Sequence, residues 1–462
     1  MKETMNITGK TLIEMGYRPG KWFKEAIAHA NENKLQGEAL KQFIAQVAPT
    51  IVVPRKEGLP FHQNLRAENE IEQTNVESVR CTMEELMKLP TVEKGAVMPD
   101  ACPAGPVGTI PVGGVVATRN AIHPSMHSAD ICCSVMMTSF GDVDPKQVLD
   151  IAHRNTHFGG GGREDHFELP KELEEQIRGN RFLNTERSLN LARTHLGTQG
   201  DGNHFLFIGR SEATGETIMV THHGSRGFGA NLYKQGMKVA ESFRKQISPR
   251  TPKSNAWIPY SEEEGKNYWE ALQIVRSWTK RNHESLHEAT CRELGILPTL
   301  RFWNEHNFVF KEGDLFYHAK GATPLSDAFV PDSHEGLRLV PLNMREPVLI
   351  VKGEASANNL GFAPHGAGRN MSRSRHIRAN AHRTTEEIFH EETEGLDVRF
   401  YSGHVDISEL PTAYKNADSV QAQMKEFGLG DVVDRILPYG CIMAGDWQKD
   451  APWKRKARKK KS

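Results

Sequence analysis

Apolar residues recur with helical spacing in four segments of the chain. In the longest segment, Trp269, Leu272, Val275 and Trp278 lie three positions apart, close to the period of an α-helix. Large apolar side chains at this spacing favour a face that packs into the core over one that contacts a cofactor. The four segments that predict helices are 22–33, 145–157, 229–247 and 261–294.

Shorter apolar runs bounded by turn residues predict β-strands. A further segment is rich in glycine and valine, which suits tight strands and turns. The predicted strands are 131–138, 204–209, 217–221 and 347–351, with the glycine- and valine-rich segment at 107–118.

The predicted helices and strands interleave irregularly, without the repeated strand–helix unit of a doubly wound sheet. This pattern favours the α+β class, with one large domain of central mixed β-sheets flanked by helices. The chain has 462 residues and is 38% hydrophobic, which is enough for a sizeable core. We predict this domain at 61–450, after a helical N-terminal extension (1–60) and before a basic C-terminal tail (451–462).

The hydropathy of the chain predicts no contact with a membrane. It has no apolar run of about 18 residues, and its first residues lack the charged and apolar parts of a signal peptide. Six cysteines are too few for a disulfide framework in a chain of this length, and they suit a reducing compartment. We therefore expect a cytoplasmic protein.

Charge is balanced over the whole chain but concentrated at its end. The formal net charge is +0, yet seven of the last nine residues (454–462) are lysine or arginine. Such a tail is either a solvated, disordered segment or a non-specific attractor of phosphate. The 21 histidines, many beside glycines, indicate metal or phosphate chemistry.

The first candidate for such chemistry is the segment Asp130-Ile131-Cys132-Cys133. Asp130 and Cys133 can converge only if the backbone bends, because positions i and i+3 of a strand face opposite sides. A carboxylate and a thiolate would offer a divalent cation one hard and one soft ligand. The alternative is that the cysteines are only packed in the core.

Three histidines in polar, glycine-containing or strand-flanked motifs are further candidate ligands. His204 ends a glycine-rich segment (195–205), His222 follows an apolar strand, and His306 lies in Asn304-Glu305-His306-Asn307. Taken singly, each has an ordinary alternative as a turn residue or a buried core histidine. Their occurrence together and in order is much more specific.

Two motifs have the chemistry of phosphate binding. Arg226 lies in a glycine-rich turn before a predicted helix, where backbone N–H groups and a guanidinium can bind an anion. His365 lies in a glycine turn (364–373) with Arg369 and Arg373 downstream. A histidine in this position can take a phosphoryl group while the arginines hold its charge.

In this combination of motifs the chain resembles the RtcB family of RNA ligases. The family pattern is Asp-x-x-Cys, Gly-Asn-His-Phe, His-x-Gly-Ser-Arg-Gly, His-Asn and His-Gly-Ala-Gly-Arg-x-Met-Ser-Arg, and all five occur here in that order. Pro99-Asp100, the Pro-x-Gly-Gly segment at 111–114 and Lys320-Gly321-Ala322-Thr323 also fit. The resemblance covers about residues 90–445 and implies one α+β domain with the active site in a deep cleft.

The resemblance implies a role for each matched residue. His365 would attack the α-phosphate of a nucleoside triphosphate, GTP in the family, and carry the nucleotide. Two Mn²⁺ ions, with the Cys133 thiolate between them, would be held by Asp130, Cys133, His204, His222 and His306. The nucleotide-binding residues would be Asn203, Asn307, Glu354, Asn358, Gly366, Ala367 and Gly368. The residues that bind RNA phosphates would be Arg226, Arg369 and Arg373.

The implied reaction joins two RNA ends. A 2′,3′-cyclic phosphate is opened to a 3′-phosphate, the nucleotidyl group passes to it, and a 5′-hydroxyl end attacks. Two close cations would polarise the triphosphate and stabilise the developing charge. Family members often work with a small activator called archease, so an archease-type partner is expected as well as RNA.

The sequence departs from the family where the base is recognised. Phe207 replaces the glutamate of Gly-Asn-His-Phe-x-Glu, and Met443 replaces a guanine-contacting lysine. Val351-Lys352-Gly353-Glu354 replaces a pocket-lining segment, where Glu354 is a candidate to restore a carboxylate; upstream, Cys102 replaces a histidine. A pocket that loses its hydrogen-bonding groups loses discrimination steeply, so we predict altered or relaxed nucleotide preference.

Two other functions are compatible with parts of the pattern. A metal-dependent RNA 2′,3′-cyclic phosphodiesterase without ligation would keep the metal ligands but form no covalent nucleotide on His365. A non-catalytic RNA-binding protein would have little use for a thiolate-bridged pair of metal ions. The nucleotidylation of His365 therefore distinguishes the ligase from the other two hypotheses.

Overall fold

The computed structural model describes residues 6–165 and 167–446, so the basic tail lies outside the described part. Thirteen α-helices occur in the described residues. They are α1 Gly9–Glu14, α2 Trp22–Glu32, α3 Gly37–Val47, α4 Glu70–Leu86, α5 Pro124–His127, α6 Pro145–Asn155, α7 Lys171–Gly179, α8 Glu186–Thr194, α9 Arg226–Ile247, α10 Glu263–Leu294, α11 Arg373–Ala379, α12 Thr385–Thr393 and α13 Ala417–Glu426.

Sixteen β-strands occur in the same residues. They are β1 His62–Gln63, β2 Val92–Cys102, β3 Val112–Arg119, β4 Ala121–Ile122, β5 Cys133–Ser139, β6 Phe205–Ser211, β7 Thr217–His223, β8 Ile258–Pro259, β9 Leu300–Glu312, β10 Leu315–Lys320, β11 Ala322–Pro324, β12 Arg338–Pro341, β13 Val348–Lys352, β14 Phe362–Pro364, β15 Asp397–Phe400 and β16 Asp431–Met443.

Twelve of these strands form one mixed sheet. Its order is β1-β2-β3-β10-β9-β5-β7-β6-β16-β13-β12, with β15 paired to β16 beside that path. The pairs β1–β2 and β15–β16 are parallel and the others are antiparallel. The prediction of an α+β fold on a central mixed sheet flanked by helices is confirmed.

Both faces of the sheet are buried, as alternate residues of β5 illustrate. Met136 packs in the larger core cluster with α10, whereas Val135 and Met137 pack in a second cluster on the opposite side. In α10, Trp278 is fully buried, and Leu272 and Val275 lie beside it in the same cluster. The predicted core role of this helix face is therefore confirmed.

The N-terminal helices α1, α2 and α3 share a small apolar cluster of their own, which includes Leu12, Phe23 and Ile44. They contact the larger body where Lys21 pairs with Glu264 of α10. The domain boundary near residue 60 stays a prediction. No helix within 6–165 and 167–446 is long and apolar enough to cross a membrane.

Candidate functional site

The candidate site is a cavity of about 260 Å³ above the middle of the large sheet. Four of the five predicted metal ligands line it directly, and so does His365. Three of the ligands lie in the adjacent strands β9, β5 and β7, and Asp130 and His204 lie just before β5 and β6. The geometry of these strands explains how residues far apart in sequence come together.

The backbone bends at the start of β5, as the sequence requires. Cys132 has a φ of 58°, a left-handed conformation that a non-glycine residue rarely adopts. Its N–H donates to the Asn307 carbonyl at 2.7 Å, and the N–H of Cys133 donates to the Asp130 carbonyl at 3.3 Å. The predicted bend is confirmed, because it brings the Asp130 and Cys133 side chains to the same side.

Strand pairing brings two histidines to Cys133. His222 lies in β7, which pairs with β5 directly. His306 lies in β9 at a register shift, since Cys133 pairs with Asn307 but Ser134 pairs with Glu305. This bulge leaves His306 unpaired in the ladder, and such bulges often re-aim a side chain beside an active site.

The five predicted ligands form two groups that share one residue. Cys133, His222 and His306 form the first, and Asp130, Cys133 and His204 form the second; within each, the ligand atoms lie within 4.8 Å of one another. The Cys133 Sγ lies 3.2 Å from His222 Nε2 and 3.6 Å from His204 Nε2. A thiolate shared by two sets of ligands is suited to bridge two cations.

The electrostatics of the five residues fit cation binding. Burial lowers the pKa of His222 to about 3, so its imidazole is neutral and its lone pair is available. Burial acts to raise the pKa of Asp130, but the facing His204 outweighs it and the pKa falls to about 2. Burial raises the pKa of the Cys133 thiol, and a bound cation would reverse this effect.

The Nε2 atom of His222 faces another ligand atom, whereas its Nδ1 faces the Asn203 carbonyl at 3.2 Å. His222 Nε2 and His306 Nε2 are 3.1 Å apart, and both belong to the same ligand group. At that distance, two neutral imidazoles can share one proton. The facing Cys133 thiol and Asp130 carboxylate add further lone pairs to the site. This donor set fits a divalent cation, and the identity of the metal stays a prediction.

His365 is held in place by Asp100, which the sequence reasoning left without a role. The His365 Nδ1–H donates to Asp100 Oδ2 at 2.5 Å, and the His365 backbone N–H donates to the same oxygen at 3.1 Å. The buried carboxylate therefore fixes the proton on Nδ1 and leaves the Nε2 lone pair free. The centre of the His365 ring lies 4.9 Å from that of the His306 ring, so His365 adjoins the candidate ligand groups.

The glycines around His365 allow the chain to approach this carboxylate. Gly368 has a φ of 73°, and a Cβ there would overlap the Asp100 backbone. A Cβ at Gly366 would lie 2.6 Å from the Pro341 carbonyl oxygen. Close packing against Asp100 and Pro341 therefore requires glycine at these two positions, whether or not a ligand binds there.

Most of the predicted nucleotide-binding residues line the cavity, but two do not. Those that line it are Asn203, Asn307, Gly366, Ala367 and Gly368. Glu354 is exposed, and Asn358 is hydrogen-bonded to Asn64 and to the Phe427 carbonyl. The structure does not bring Glu354 or Asn358 into the cavity, because the loop after β13 runs along β2 and α13.

The three predicted phosphate-binding arginines differ in position. Arg369 and Arg373 line the cavity, and both pair with the buried Glu409. Arg226 is not among the lining residues; its guanidinium donates to Thr198 Oγ1 at 3.2 Å and to the Gly159 carbonyl at 2.9 Å. Two of the donors of Arg226 are thus used to hold glycine-rich loops.

Two of the departures from the family pattern, Phe207 and Met443, face the same part of the cavity. Phe207 lies opposite Cys441 across the β6–β16 pairing, and Phe205 lies opposite Met443. All four line the cavity, and Phe207 and Met443 are 2% and 4% exposed. This wall is apolar and offers no charged group to a base.

Three other residues in the cavity wall have roles that the sequence reasoning missed. Tyr414 donates to Glu409 Oε2 at 2.5 Å and stacks beneath Arg369, whose guanidinium lies 5.3 Å from its ring centre. Lys320 extends along the wall and donates to the Ile110 carbonyl at 3.3 Å. The only signals in the sequence were the Lys-Gly-Ala-Thr segment and the general enrichment of polar residues near glycines.

Comparison with known proteins identifies relatives of this chain. Residues 161–444 match the family model described as tRNA-splicing ligase RtcB. The chain is 26% identical to "tRNA-splicing ligase RtcB" of Pyrococcus abyssi over 55% of its own length and 32% of the relative. For the proteins of the same name from Aeropyrum pernix and Thermococcus kodakarensis, the identities are 27% and 24%, over 53% and 71% of this chain and 58% and 84% of the relative.

The chain thus spans less than two thirds of the length of the first two relatives. The family match nevertheless covers more than half of this chain, and it includes His204, His222, His306 and His365. The chain therefore belongs to the RtcB family.

Proposed function

We propose that this protein is a metal-dependent RNA ligase that joins 3′-phosphate or 2′,3′-cyclic phosphate ends to 5′-hydroxyl ends. One observation carries the proposal. His365, with its Nδ1–H held by Asp100, lies in the same cavity as two overlapping groups of metal-type ligands. A phosphodiesterase or a simple RNA binder would not need a histidine oriented in this way.

His365 would begin the reaction with its free Nε2. This nitrogen attacks the α-phosphorus of a nucleoside triphosphate, a P–N bond forms, and the P–O bond to pyrophosphate breaks. Asp100 holds the Nδ1 proton throughout and stabilises the positive charge that develops on the ring. Divalent cations, Mn²⁺ in this proposal, would neutralise the phosphate oxygens when bound by the five ligands.

The second half of the reaction uses the arginines. A 3′-phosphate oxygen attacks the nucleotidyl phosphorus, so the P–N bond breaks and His365 is restored. The 5′-hydroxyl then attacks the activated 3′-phosphate and releases the nucleoside monophosphate. Arg369 and Arg373 line the cavity and are suited to hold the negative oxygens in these steps. A cyclic phosphate must first be opened by water.

The base of the triphosphate would lie against the apolar wall. Phe207 and Met443 can contact any base by packing, but they cannot pair with the polar edge of guanine. GTP should therefore be accepted without the discrimination that a hydrogen-bonding pocket gives. We propose that other purine nucleoside triphosphates serve as well.

A reducing location and an activator complete the proposal. All six cysteines are free in the described residues, and a thiolate ligand at Cys133 requires that it stay reduced. We therefore expect activity in the cytoplasm. An archease-type activator remains part of the hypothesis, and its addition is one arm of the test below.

The test is ligation of a defined RNA. An oligonucleotide with a 3′-phosphate or a 2′,3′-cyclic phosphate and one with a 5′-hydroxyl are incubated with Mn²⁺, a nucleoside triphosphate and the protein, with and without an archease-type activator. The joined product should form with wild type and with His62→Ala, an exposed control, and not with His365→Ala. Cyclic phosphate opening without joining, in every arm, would support the phosphodiesterase and refute the ligase.

A further inference from the structure

The chain beyond the nucleophile is unusually basic. Residues 366–385 contain five arginines and two histidines, and no aspartate or glutamate. The segment includes the glycine turn after His365, the helix α11 and the start of α12. This positively charged segment begins at the candidate active site, so its position relative to the cavity is fixed by the chain.

Helix α11 leads from the cavity to the surface. It begins at Arg373, which lines the cavity and has a side chain that is 41% exposed. Arg375 and Arg378 follow on the same helix and are exposed. They are three positions apart, so they project from the same side about 4.5 Å apart along the axis.

These two arginines differ from the other three in having no internal partner. Arg369 and Arg373 pair with Glu409, and Arg383 pairs with Glu391. Within the part of the chain that the structure describes, the guanidinium groups of Arg375 and Arg378 form no ion pair and no hydrogen bond, and the only hydrogen bond of Arg375 with a side chain is from its backbone N–H to Ser372 Oγ. Their guanidinium groups are therefore available to an external anion.

The nearby acidic helix α12 does not satisfy them. Its Glu387 side chain caps the helix at the Thr384 N–H, and Glu392 accepts hydrogen bonds from Thr412. The Glu391 carboxylate is the partner of Arg383. Three acidic residues of α12 are thus committed to contacts other than Arg375 and Arg378.

We propose that the exposed side of α11 binds the sugar–phosphate backbone of the RNA strand that enters the cavity. Arg375 and Arg378 would each contact one phosphate beyond those held at Arg369 and Arg373. The inference rests on the proposed function for the identity of the polyanion. To the proposed function it adds the path of the RNA strand and two residues, Arg375 and Arg378, that bind RNA but take no part in the chemistry. The contacts are charge-based, so they carry no sequence preference.

The test is the salt dependence of RNA binding. The affinity of the full chain for a labelled single-stranded RNA of about 12 nucleotides is measured at several salt concentrations. Because each lost phosphate contact reduces the slope of log affinity against log salt by about 0.7, Arg375→Ala/Arg378→Ala should make it shallower by about 1.4. Near 0.15 M salt, this corresponds to binding that is about tenfold weaker.

The matched control is Arg187→Ala/Arg292→Ala. Both of these arginines are exposed, on α8 and α10, and they carry the same charge, so the control removes two positive charges elsewhere. The control should bind RNA like wild type. In ligation, the α11 variant should raise the KM for RNA about tenfold and leave kcat unchanged, because the chemistry does not use these residues.

Nucleotide labelling separates this inference from the proposed function. Transfer of a nucleotide to His365 needs no RNA, so both double variants should be labelled like wild type. Equal affinities and slopes for wild type and the α11 variant would overturn the inference, even if ligation occurs. Failure of wild type to label or ligate, with an arginine-dependent salt slope, would refute the proposed function and leave the binding path intact.

Discussion

The substitution Asp100→Asn tests whether a carboxylate controls the nucleophile. Asp100 is fully buried, and its Oδ2 accepts two hydrogen bonds from His365, one from Nδ1–H and one from the backbone N–H. Asparagine has nearly the same size but only one accepting oxygen. If that oxygen takes the place of Oδ2, it still accepts both hydrogen bonds from His365, but it carries no negative charge. The positive charge that develops on the ring as Nε2 attacks is then no longer stabilised by a carboxylate.

The expected loss follows from the strength of the interaction. A hydrogen bond to a charged group contributes about 1.5–3 kcal/mol, and each 1.36 kcal/mol changes a rate about tenfold. Nucleotidylation of His365 in the variant should therefore be about ten- to 150-fold slower than in wild type. The fold should survive, because the side-chain volume is unchanged and the Asp100 Oδ1 has no hydrogen-bond partner among residues 6–165 and 167–446.

The assay is single-turnover labelling with an α-labelled nucleoside triphosphate and Mn²⁺, at saturating nucleotide. Asp142→Asn is the control, because the Asp142 side chain is 97% exposed and the same chemical change is made far from the cavity. Far-UV circular dichroism and the thermal midpoint check that the variant is folded. A labelling rate for Asp100→Asn equal to that of Asp142→Asn would refute the assigned role of the carboxylate.

Three other predictions concern the metal site, the base and the core. In Gly224→Ala, the new Cβ would overlap the Asp130 carboxylate, so Mn²⁺ affinity measured by calorimetry should fall at least tenfold, and unchanged affinity would exclude Asp130 as a ligand. Phe207→Glu/Met443→Lys should give a preference for GTP over ATP in labelling; equal use of both would show that these positions do not contact the base. Burial lowers the pKa of His123 to about 3, so below pH 6.5 the unfolded chain binds a proton that the folded chain refuses. Its contribution to stability is complete above pH 6.5 and is lost as the pH falls, by about 1.4 kcal/mol per unit. Urea unfolding of His123→Gln at pH 7 and pH 5 should show a smaller pH effect than wild type, and an identical effect would contradict this assignment.

Helices and strands were predictable where a repeating apolar pattern lies within one short segment of the chain. The apolar runs at 131–138 and 217–221 correspond to β5 and β7, and the helical spacing at 261–294 corresponds to α10. In each case the residues that carry the pattern are buried by the sheet or packed against it. The bend at Cys132 was predictable as well, because two ligands of one site must share a face.

The long strands were harder to predict because they are irregular. Strand β16 spans Asp431–Met443, yet it contains Pro438 and shifts register between Pro438 and Gly440. Strand β2 has similar shifts against β3. Such strands lack the simple alternation that identifies a strand in a sequence, and their pairing is fixed only by the neighbouring strands.

The sequence motifs predicted which residues form the site, but they did not predict which of these residues contact one another. Asp100 and His365 are separated by 265 positions, and no local pattern links them. Glu409 likewise joins Arg369 and Arg373 from a distant turn. Glu354 shows the opposite error, since it lies next to a pocket-lining strand in sequence but is exposed to solvent.

The most direct test of the central claim is covalent labelling of His365. Wild type and His365→Ala are incubated with Mn²⁺ and each of the four α-labelled nucleoside triphosphates, and protein-bound label is measured after denaturation. The account predicts label on wild type with more than one base, released by acid as expected for a P–N bond, and no label on His365→Ala. Equal labelling of the variant, or no label on wild type with any base, would contradict it.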